Sequence, residues 1–310
     1  MINALFSGTD AQWSEYELTL QAAFSEAGLD VQLNQEIEPS DVDYIICSPA
    51  GPIQDFAGFP RLKAVLNLWA GVENITNNPT LTAPLCRMVD SGLSEGMAEW
   101  VTGHILRYHL GIDAHLNRQD GVWRDDTVPP LARERRVGIL GLGELGQAVS
   151  SALTALNFQV SGWSRTLKHV DGINCFVGDE GLEAVLSQSE YLILLLPHTS
   201  ATENLLNDQS LACLPQGAKI LNPGRGALIE DAALLSALET GQVSHATLDV
   251  FRLEPLPPEH PFWTHPRVTV TPHIASETRP LTASRAIAKN IQRGEARLPF
   301  LHVVDRQAGY

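Results

Sequence analysis

The sequence is short of positive charge. It has 21 lysine and arginine residues against 36 aspartate and glutamate residues, so its formal net charge is −15 in a chain of 310 residues. Nucleic acids and anionic membranes are bound by basic surfaces, and a chain with this charge balance is not expected to bind either of them. A small anionic substrate is not excluded, because it needs only a local cluster of positive groups.

Cysteine and long apolar runs are also scarce. The cysteines, Cys47, Cys86, Cys175 and Cys213, are far apart and form no C-x-x-C pair, which favours free thiols in a reducing compartment. No uninterrupted apolar stretch is long enough to span a membrane. The first residues, MINALFSGTDAQW, lack the basic start that signal peptides have. We therefore expect a cytoplasmic protein.

Short apolar runs alternate with helical patterns along the chain. Strand-like runs such as INALFSG and VDYIICSPAG are separated by amphipathic stretches, and the same alternation resumes after a polar stretch that contains VPPLARER. A strand–helix–strand rhythm of this kind predicts an α/β fold with parallel sheets. The length is sufficient for two domains.

A glycine-rich turn opens the second series of strands. The stretch VGILGLGELG contains G-x-G-x-x-G as Gly141, Gly143 and Gly146, directly after a predicted strand and at the start of a predicted helix. The first glycine would permit a tight turn, the second would let a pyrophosphate approach the backbone, and the third would let helix and strand pack closely. The motif predicts dinucleotide binding, with a purely structural turn as the alternative.

Basic residues stand where such motifs usually carry an acidic one. The next predicted strand ends at Ser164 and Arg165, and Lys168 follows in the same loop. A carboxylate here would accept hydrogen bonds from the adenosine ribose, whereas a hydroxyl and a guanidinium would bind a 2′-phosphate. A solvated basic turn is the alternative interpretation of the same residues.

Polar residues also follow three later predicted strands. Arg225 lies in LNPGRGALIE, Glu254 in LDVFRLEPLP and His273 in VTVTPHIAS. Each could be an ordinary turn, capping or core residue when considered alone. Because the carboxyl ends of parallel strands line the crevice in which ligands bind, the three together predict a site at the nicotinamide end of a cofactor.

These motifs resemble, in order and spacing, the D-isomer-specific 2-hydroxyacid dehydrogenase family. The resemblance extends over about residues 65–280, and WSR, RYH and PHIASETRP are most similar to its glyoxylate/hydroxypyruvate reductase branch. It implies two Rossmann-like, doubly wound parallel-sheet domains with the active site in the cleft between them. A discontinuous, flavodoxin-like substrate-binding domain would cover 1–95 and 282–310, and an NAD(P)-binding Rossmann domain would cover 96–281.

The resemblance implies reduction of a small 2-oxo acid, glyoxylate or hydroxypyruvate, with NADP(H) preferred and NAD(H) possible. Arg225 would bind the substrate carboxylate, His273 would donate a proton to the carbonyl oxygen, and Glu254 would orient the imidazole and stabilise its charged form. Further substrate contacts are implied at Trp69, Ala70, Gly71 and Arg279. No metal ion is required, because the nicotinamide carries the hydride chemistry.

Cofactor contacts are implied at a larger set of positions, in the glycine-rich turn and at strand ends. They are Gly141, Leu142, Gly143, Glu144, Leu145, Gly146, Ser164, Arg165, Lys168, Leu196, Pro197, Pro223, Gly224, Asp249 and Ser276. The resemblance also implies a homodimer formed through the cofactor domain, in which residues 97–130 reach the partner. Trp123 is a candidate interface residue, or else an aromatic residue buried within one subunit.

Other interpretations stay open. The same fold could act on a bulkier 2-oxo acid or use NADH, and the family also has corepressor relatives, which suggest a non-catalytic protein that senses nicotinamide cofactors. Other enzyme classes lack their motifs. The helix histidines His104, His109 and His115 have no carboxylate or cysteine pattern to complete a metal site, and no G-x-S-x-G elbow supports serine hydrolysis.

Overall fold

The computed structural model describes residues 1–49, 51–125 and 128–309. Its internal contacts divide the chain into a first unit, Met1–Leu93 with Glu277–Tyr310, and a second unit, Ser94–Ser276. The sequence analysis placed the substrate-binding domain at 1–95 and 282–310, whereas the first unit of the structure ends at Leu93 and resumes at Glu277. Each unit is built around its own parallel sheet, so the predicted α/β fold class is confirmed.

The first unit has a sheet in the order β2-β1-β3-β4-β5, with parallel pairing throughout. Its strands are β1 (Ile2–Ser7), β2 (Val31–Asn34), β3 (Tyr44–Cys47), β4 (Ala64–Asn67) and β5 (Leu85–Cys86). Its helices are α1 (Asp10–Glu26), the short α2 (Glu73–Thr76) and α9 (Pro280–Glu295). This strand order is the flavodoxin-like order.

Helix α1 shows why these residues form these elements. The Thr9 hydroxyl accepts a hydrogen bond from the Gln12 backbone N–H, and the Gln12 side chain accepts one from the Thr9 N–H, which closes a capping box at the helix start. The buried face of α1 includes Leu20 and Phe24, which belong to the same apolar core as Ile287 of α9. That core covers one face of the first sheet.

The second unit has a sheet in the order β12-β11-β10-β9-β6-β7-β8, again with parallel pairing. Its strands are β6 (Arg136–Leu140), β7 (Gln159–Trp163), β8 (Asn174–Phe176), β9 (Tyr191–Leu194), β10 (Ala218–Asn222), β11 (Val243–Leu248) and β12 (Val268–Val270). The strand order reverses between β6 and β9, and ligands of open α/β sheets bind at such a switch point.

Helices surround the second sheet. They are α4 (Ile112–Leu116), α5 (Glu144–Ala155), α6 (Gly178–Gln188), α7 (Asp208–Ala212) and α8 (Asp231–Thr240), together with α3 (Ser91–His109), which begins in the first unit. Among the described residues, no helix has both the length and the apolarity that crossing a membrane requires.

The central strands of the second unit are apolar nearly throughout. All residues of β9 are buried, and Leu192 and Ile220 have no exposed surface. A strand covered on both faces shows a continuous apolar run rather than alternation, which is why these segments could be recognised in the sequence. The buried core holds the strand ends in fixed positions, and the functional loops begin at those ends.

The cysteines are free thiols. Cys47 and Cys86 are buried, and burial raises the pKa of each thiol to about 12. These two side chains are therefore uncharged at neutral pH and act as small apolar residues of the core.

Candidate active site

The glycine-rich turn follows β6 and leads into α5. Gly141 has φ +109°, a conformation that residues with a side chain rarely adopt, and a Cβ there would overlap the Leu195 carbonyl oxygen. The Gly141 N–H donates to the carbonyl oxygen of Trp163 at 2.8 Å. The turn is thereby held against the end of β7.

The other two glycines of the motif have different surroundings. A Cβ at Gly146 would overlap the Gly141 carbonyl oxygen, so only glycine lets α5 pack this closely on the turn. Gly143 is exposed at the N-cap of α5, and the space where its Cβ would point is open. Open space before backbone N–H groups at a helix N-terminus is suited to a pyrophosphate. The turn therefore fits a dinucleotide, because no side chain at Gly143 blocks the approach of the pyrophosphate.

The residues around the turn differ in exposure. Leu142 is buried in the core beneath Gly162, Leu145 is half-buried, and Glu144 is exposed in the first turn of α5. Their predicted contacts with a cofactor could therefore be made by backbone at Leu142 and by side chain at Glu144.

The basic loop after β7 is shaped by Ser164. Its backbone N–H donates to the Phe176 carbonyl oxygen at 3.1 Å, and its hydroxyl donates to the Thr166 carbonyl oxygen at 2.8 Å. Ser164 is almost fully buried. Arg165 and Lys168 are exposed in the same loop. The serine hydroxyl thus folds the loop, and the two cationic side chains stand at its surface.

Further predicted residues follow adjacent strands at the same edge of the sheet. Leu196 and Pro197 follow β9, Pro223 and Gly224 follow β10, Asp249 follows β11, and His273 and Ser276 follow β12. Because these strands are parallel neighbours, the fold brings the residues to one edge, together with the turn after β6. Their side chains are not equally accessible, since Leu196, Pro223 and Gly224 are buried.

Arg225 lies in a loop that is held by Asn222. The Asn222 side chain donates to the Arg225 carbonyl oxygen at 2.9 Å and accepts from the Gly224 N–H at 3.2 Å. One nitrogen of the Arg225 guanidinium donates to the Gly224 carbonyl oxygen at 2.7 Å, and the residue is half-buried. Asn222 was not recognised in the sequence, where a single amide at the end of an apolar strand is a weak signal.

His273 and Glu254 form a close pair. The Nδ1 atom of His273 lies 2.7 Å from Oε2 of Glu254, and Oε1 of Glu254 accepts the Phe251 backbone N–H at 2.8 Å. The His273 side chain is 54% exposed and the Glu254 side chain 35%. The Phe251 N–H therefore fixes the Glu254 carboxylate, and the carboxylate in turn orients the imidazole through Nδ1. The other ring nitrogen of His273 is Nε2.

Asp249 is placed differently from a simple lining residue. Its carboxylate accepts hydrogen bonds from the Thr271 hydroxyl at 2.5 Å and from the backbone N–H groups of Ile274 and Ala275, each at 2.9 Å. The residue is 1% exposed. These contacts hold the loop that carries His273, a role that the strand pattern alone did not reveal.

The remaining predicted substrate residues belong to the first unit. Trp69, Ala70 and Gly71 follow β4, and Asn67, the last residue of that strand, donates from its side chain to the carbonyl oxygens of Trp69 and Gly71 at 2.8 and 2.9 Å. Trp69 is exposed, as is Arg279 just before α9. Asn67 thus holds its loop through two donated hydrogen bonds, whereas Asn222 holds the loop of Arg225 through one donated and one accepted bond.

No group of three or more His, Cys, Asp or Glu side chains within 1–49, 51–125 and 128–309 is arranged to hold a metal ion. Two of the helix histidines are partly withdrawn from water, and burial lowers the pKa of both His104 and His109. The His104 ring lies tilted against Trp100 and the His109 ring lies edge-to-face with Phe158, with ring centres 4.4 and 5.3 Å apart. Both imidazoles therefore take part in packing within the second unit.

Comparison with known proteins gives consistent matches. Residues 104–275 match the family described as D-isomer specific 2-hydroxyacid dehydrogenase, NAD binding domain. Glyoxylate/hydroxypyruvate reductase A of Serratia proteamaculans is 44% identical over 268 residues, which cover 84% of this chain and 85% of the relative. The protein of the same name from Yersinia enterocolitica is 39% identical and covers 94% of both chains.

Solved structures match over the whole chain. A D-isomer specific 2-hydroxyacid dehydrogenase from Xanthobacter autotrophicus Py2, in complex with NADPH and MES, has a TM-score of 0.91 at 40% identity and covers 99% of each chain. An NADPH-dependent glyoxylate/hydroxypyruvate reductase from Sinorhizobium meliloti, in complex with NADP and sulfate, has a TM-score of 0.87 at 34% identity. It covers 100% of this chain and 99% of its own.

Proposed function

Because this chain belongs to the D-isomer-specific 2-hydroxyacid dehydrogenase family of NAD(P)-dependent oxidoreductases, we propose that it reduces glyoxylate and hydroxypyruvate with NADPH. The observation that carries the proposal is the 2.7 Å pair of His273 and Glu254, at the sheet edge that also presents Arg225. Relatives named for the same two substrates, and similar structures with NADPH or NADP bound, support it.

The glycine-rich turn would hold the cofactor. The open side of Gly143 would receive the pyrophosphate on the N-terminus of α5, and the residues that follow β9, β10 and β12 would line the remainder. When bound, the reduced nicotinamide supplies the hydride for the substrate carbonyl carbon.

Arg225 would bind the substrate. A guanidinium can hold a carboxylate through two parallel charge-assisted hydrogen bonds, and it would also draw electron density from the adjacent carbonyl. Asn222 keeps the backbone of that loop in place, so the guanidinium starts from a fixed position. Trp69, Ala70, Gly71 and Arg279 would make further contacts with the substrate.

His273 would supply the proton. Its Nδ1–H faces the Glu254 carboxylate, so Nε2–H is the group that would donate to the carbonyl oxygen as alkoxide character develops. The adjacent carboxylate stabilises the imidazolium before the transfer and keeps the ring oriented afterwards. In the oxidation direction, neutral His273 would accept the proton from the hydroxyl group.

The substrate assignment is tested by steady-state kinetics. Purified enzyme is assayed with glyoxylate, hydroxypyruvate, pyruvate and a phenyl-substituted 2-oxo acid, and we expect the highest kcat/KM for the first two. Negligible turnover of both, with rapid turnover of the phenyl compound, would refute the assignment. Arg225→Ala and His273→Ala should each lower kcat/KM severely, and turnover that survives both changes would refute the catalytic roles proposed for these two residues.

The preference for NADPH is proposed to come from the basic loop. Arg165 and Lys168 are exposed there, and Arg165 can bind a 2′-phosphate bidentately. A charge-assisted hydrogen bond contributes about 1.5–3 kcal/mol. Arg165→Ala should therefore lower the ratio of kcat/KM with NADPH to kcat/KM with NADH by about ten- to a hundredfold. Arg133→Ala, at another exposed arginine of the second unit, is the matched control. Equal use of both cofactors by the unmodified enzyme would contradict the proposed preference.

A homodimer is proposed from the exposed apolar side chains near α4. Leu116, Trp123 and Val128 are all more than half exposed, and Trp123 is 91% exposed, which is unusual for side chains of this size. Residues 126 and 127 of the predicted interface range lie outside the described residues. Light scattering should give twice the chain mass for the unmodified protein and one chain mass for Trp123→Glu. A cytoplasmic location stays a prediction from the sequence.

A further inference from the structure

The first unit contains a cavity of about 260 Å³ that the proposed reaction does not use. It lies among the ends of β4 and β5, the segment that follows β5, and helix α9. Its apolar lining includes Leu66, Cys86, Met88 and Ile287, all of them buried. Arg225, Glu254 and His273 belong to the second unit and do not line it.

Cationic side chains line the same cavity. They are Arg87, Arg285 and Lys289, and His302 lines it as well. The chain as a whole has 36 acidic against 21 basic residues, so three cations around one small cavity run against its overall charge. Lys289 is exposed, and it forms no ion pair with any residue that the structure describes.

Acidic groups offset only part of this charge, since two carboxylates, Asp90 and Glu26, stand against the three cations. Asp90 is the acidic residue of the lining, and its carboxylate accepts hydrogen bonds from the Gly92 N–H and the Thr282 hydroxyl. Glu26 pairs with Arg285 at 3.1 Å, but both side chains are more than half exposed. An exposed pair of this kind is weak, so Arg285 stays available to an anion.

We propose that this cavity binds a short-chain aliphatic carboxylate. The charge of the lining selects an anion, because buried or partly buried anions in proteins require cationic or hydrogen-bonding partners. The buried apolar floor favours an anion that carries hydrocarbon over a fully polar one, since each apolar group is removed from water on binding. The volume admits only a small molecule, since it lies below the range of about 300–1,000 Å³ of most ligand pockets.

Asn67 connects this cavity with the loop of Trp69. It lines the cavity and, through its amide, holds the carbonyl oxygens of Trp69 and Gly71. A bound carboxylate would therefore lie beside the residue that fixes this loop.

The test uses titration calorimetry with succinate and, separately, inorganic phosphate. We expect saturable binding of succinate below about 10 mM, at least about tenfold tighter than phosphate. Lys289→Glu should weaken succinate binding by about tenfold or more, and Lys289→Gln by less. Arg133→Glu makes the same change of charge in the second unit and should leave the affinity unchanged. Both positions are exposed, so the three variants are expected to fold normally.

Arg225→Ala separates this site from the proposed catalytic site. Succinate binding that persists in Arg225→Ala and is lost in Lys289→Glu assigns the anion to the cavity, whatever the outcome for the proposed reaction. Binding that is lost in Arg225→Ala and unchanged in Lys289→Glu would refute the cavity site. Absence of succinate binding to the unmodified protein, or phosphate binding that is as tight as succinate binding, would also overturn the proposal.

Discussion

The backbone N–H of His273 donates a hydrogen bond to the carbonyl oxygen of Asp249 at 2.8 Å. This contact joins the end of β11 to the loop after β12, and the Asp249 carboxylate adds bonds to Ile274 and Ala275 beyond it. His273 itself has φ +56°, which is uncommon for a residue with a side chain. The loop keeps this conformation because Asp249 holds it on both sides of the histidine.

Asp249→Asn is therefore expected to lower kcat strongly. An amide offers one acceptor oxygen where the carboxylate offers two, so one backbone N–H of the loop loses its partner, at a cost of about 1–3 kcal/mol. The histidine would be held less firmly, and kcat should fall more than the KM for the 2-oxo acid rises. Thr271→Val is the matched control, because it removes only the hydroxyl contact and leaves both backbone bonds intact. A variant with unchanged kcat would contradict the positioning role of Asp249.

The glycines of the turn allow a matched pair of substitutions. Gly146→Ala should reduce stability markedly, because its Cβ would overlap the Gly141 carbonyl oxygen in a packed region. Gly143→Ala should unfold at nearly the same temperature as the unmodified protein, since it has φ −74° and open space beside it. It should nevertheless bind NADPH about tenfold more weakly if a pyrophosphate approaches that backbone. Thermal unfolding and fluorescence titration with NADPH measure the two effects, and unchanged cofactor affinity in Gly143→Ala would argue against this position of the pyrophosphate.

Glu254→Gln tests the histidine pair. The amide oxygen can still accept a hydrogen bond, but it has no negative charge with which to stabilise the imidazolium. We expect kcat/KM for glyoxylate to fall by about a hundredfold or more, within the range of general acid–base contributions. NADPH affinity and melting temperature should change little and serve as the controls. Retention of full activity would remove Glu254 from the mechanism.

The half-buried His245 should make the protein less stable in acid. Burial and, to a smaller extent, the nearby Arg107 lower the pKa of His245 from 6.5 to about 4. Between these values the unfolded chain binds a proton that the folded protein does not, so stability is present above about pH 6.5 and is lost as the pH falls towards 4. His245 also lies 2.9 Å from the Thr269 hydroxyl, in a packed region.

The measurement is the midpoint of urea unfolding between pH 7 and pH 4. In His245→Gln the midpoint should fall less steeply with decreasing pH than in the unmodified protein. His115→Gln changes an exposed histidine and should leave the steepness unaltered. Parallel curves for His245→Gln and the unmodified protein would show that another group causes the acid sensitivity.

Several parts of the fold could be predicted because local sequence determines them. The strands β1, β3 and β6 are short apolar runs that end at turn residues, and their type does not depend on distant contacts. The turn at Gly141 requires a positive φ, and the motif states this requirement directly. Arg225, Glu254 and His273 could be proposed as a group because each follows a predicted strand and parallel strands end at one edge.

Other features depend on residues that are far apart in the chain. Ser164 was expected to face a phosphate, yet its hydroxyl donates to Thr166 and shapes the loop; whether it also contacts a cofactor stays a prediction. Asp249 holds a loop more than 20 residues later in the chain, and no periodicity indicates which of its neighbours it will contact. Asn67 and Asn222 were missed because a single amide at a strand end has no characteristic spacing.

The α/β class, the glycine-rich turn and the residue types available for a reduction can all be predicted from the amino-acid sequence, because backbone conformation and strand ends are local properties. The side chains that hold each loop, and the three cations that line a cavity beside α9, become visible only in the folded chain. Those contacts depend on the register of neighbouring strands and on the packing of helices against them. Side chains that are distant in the chain come within hydrogen-bonding distance only when the strands have paired in register and the helices have packed against them.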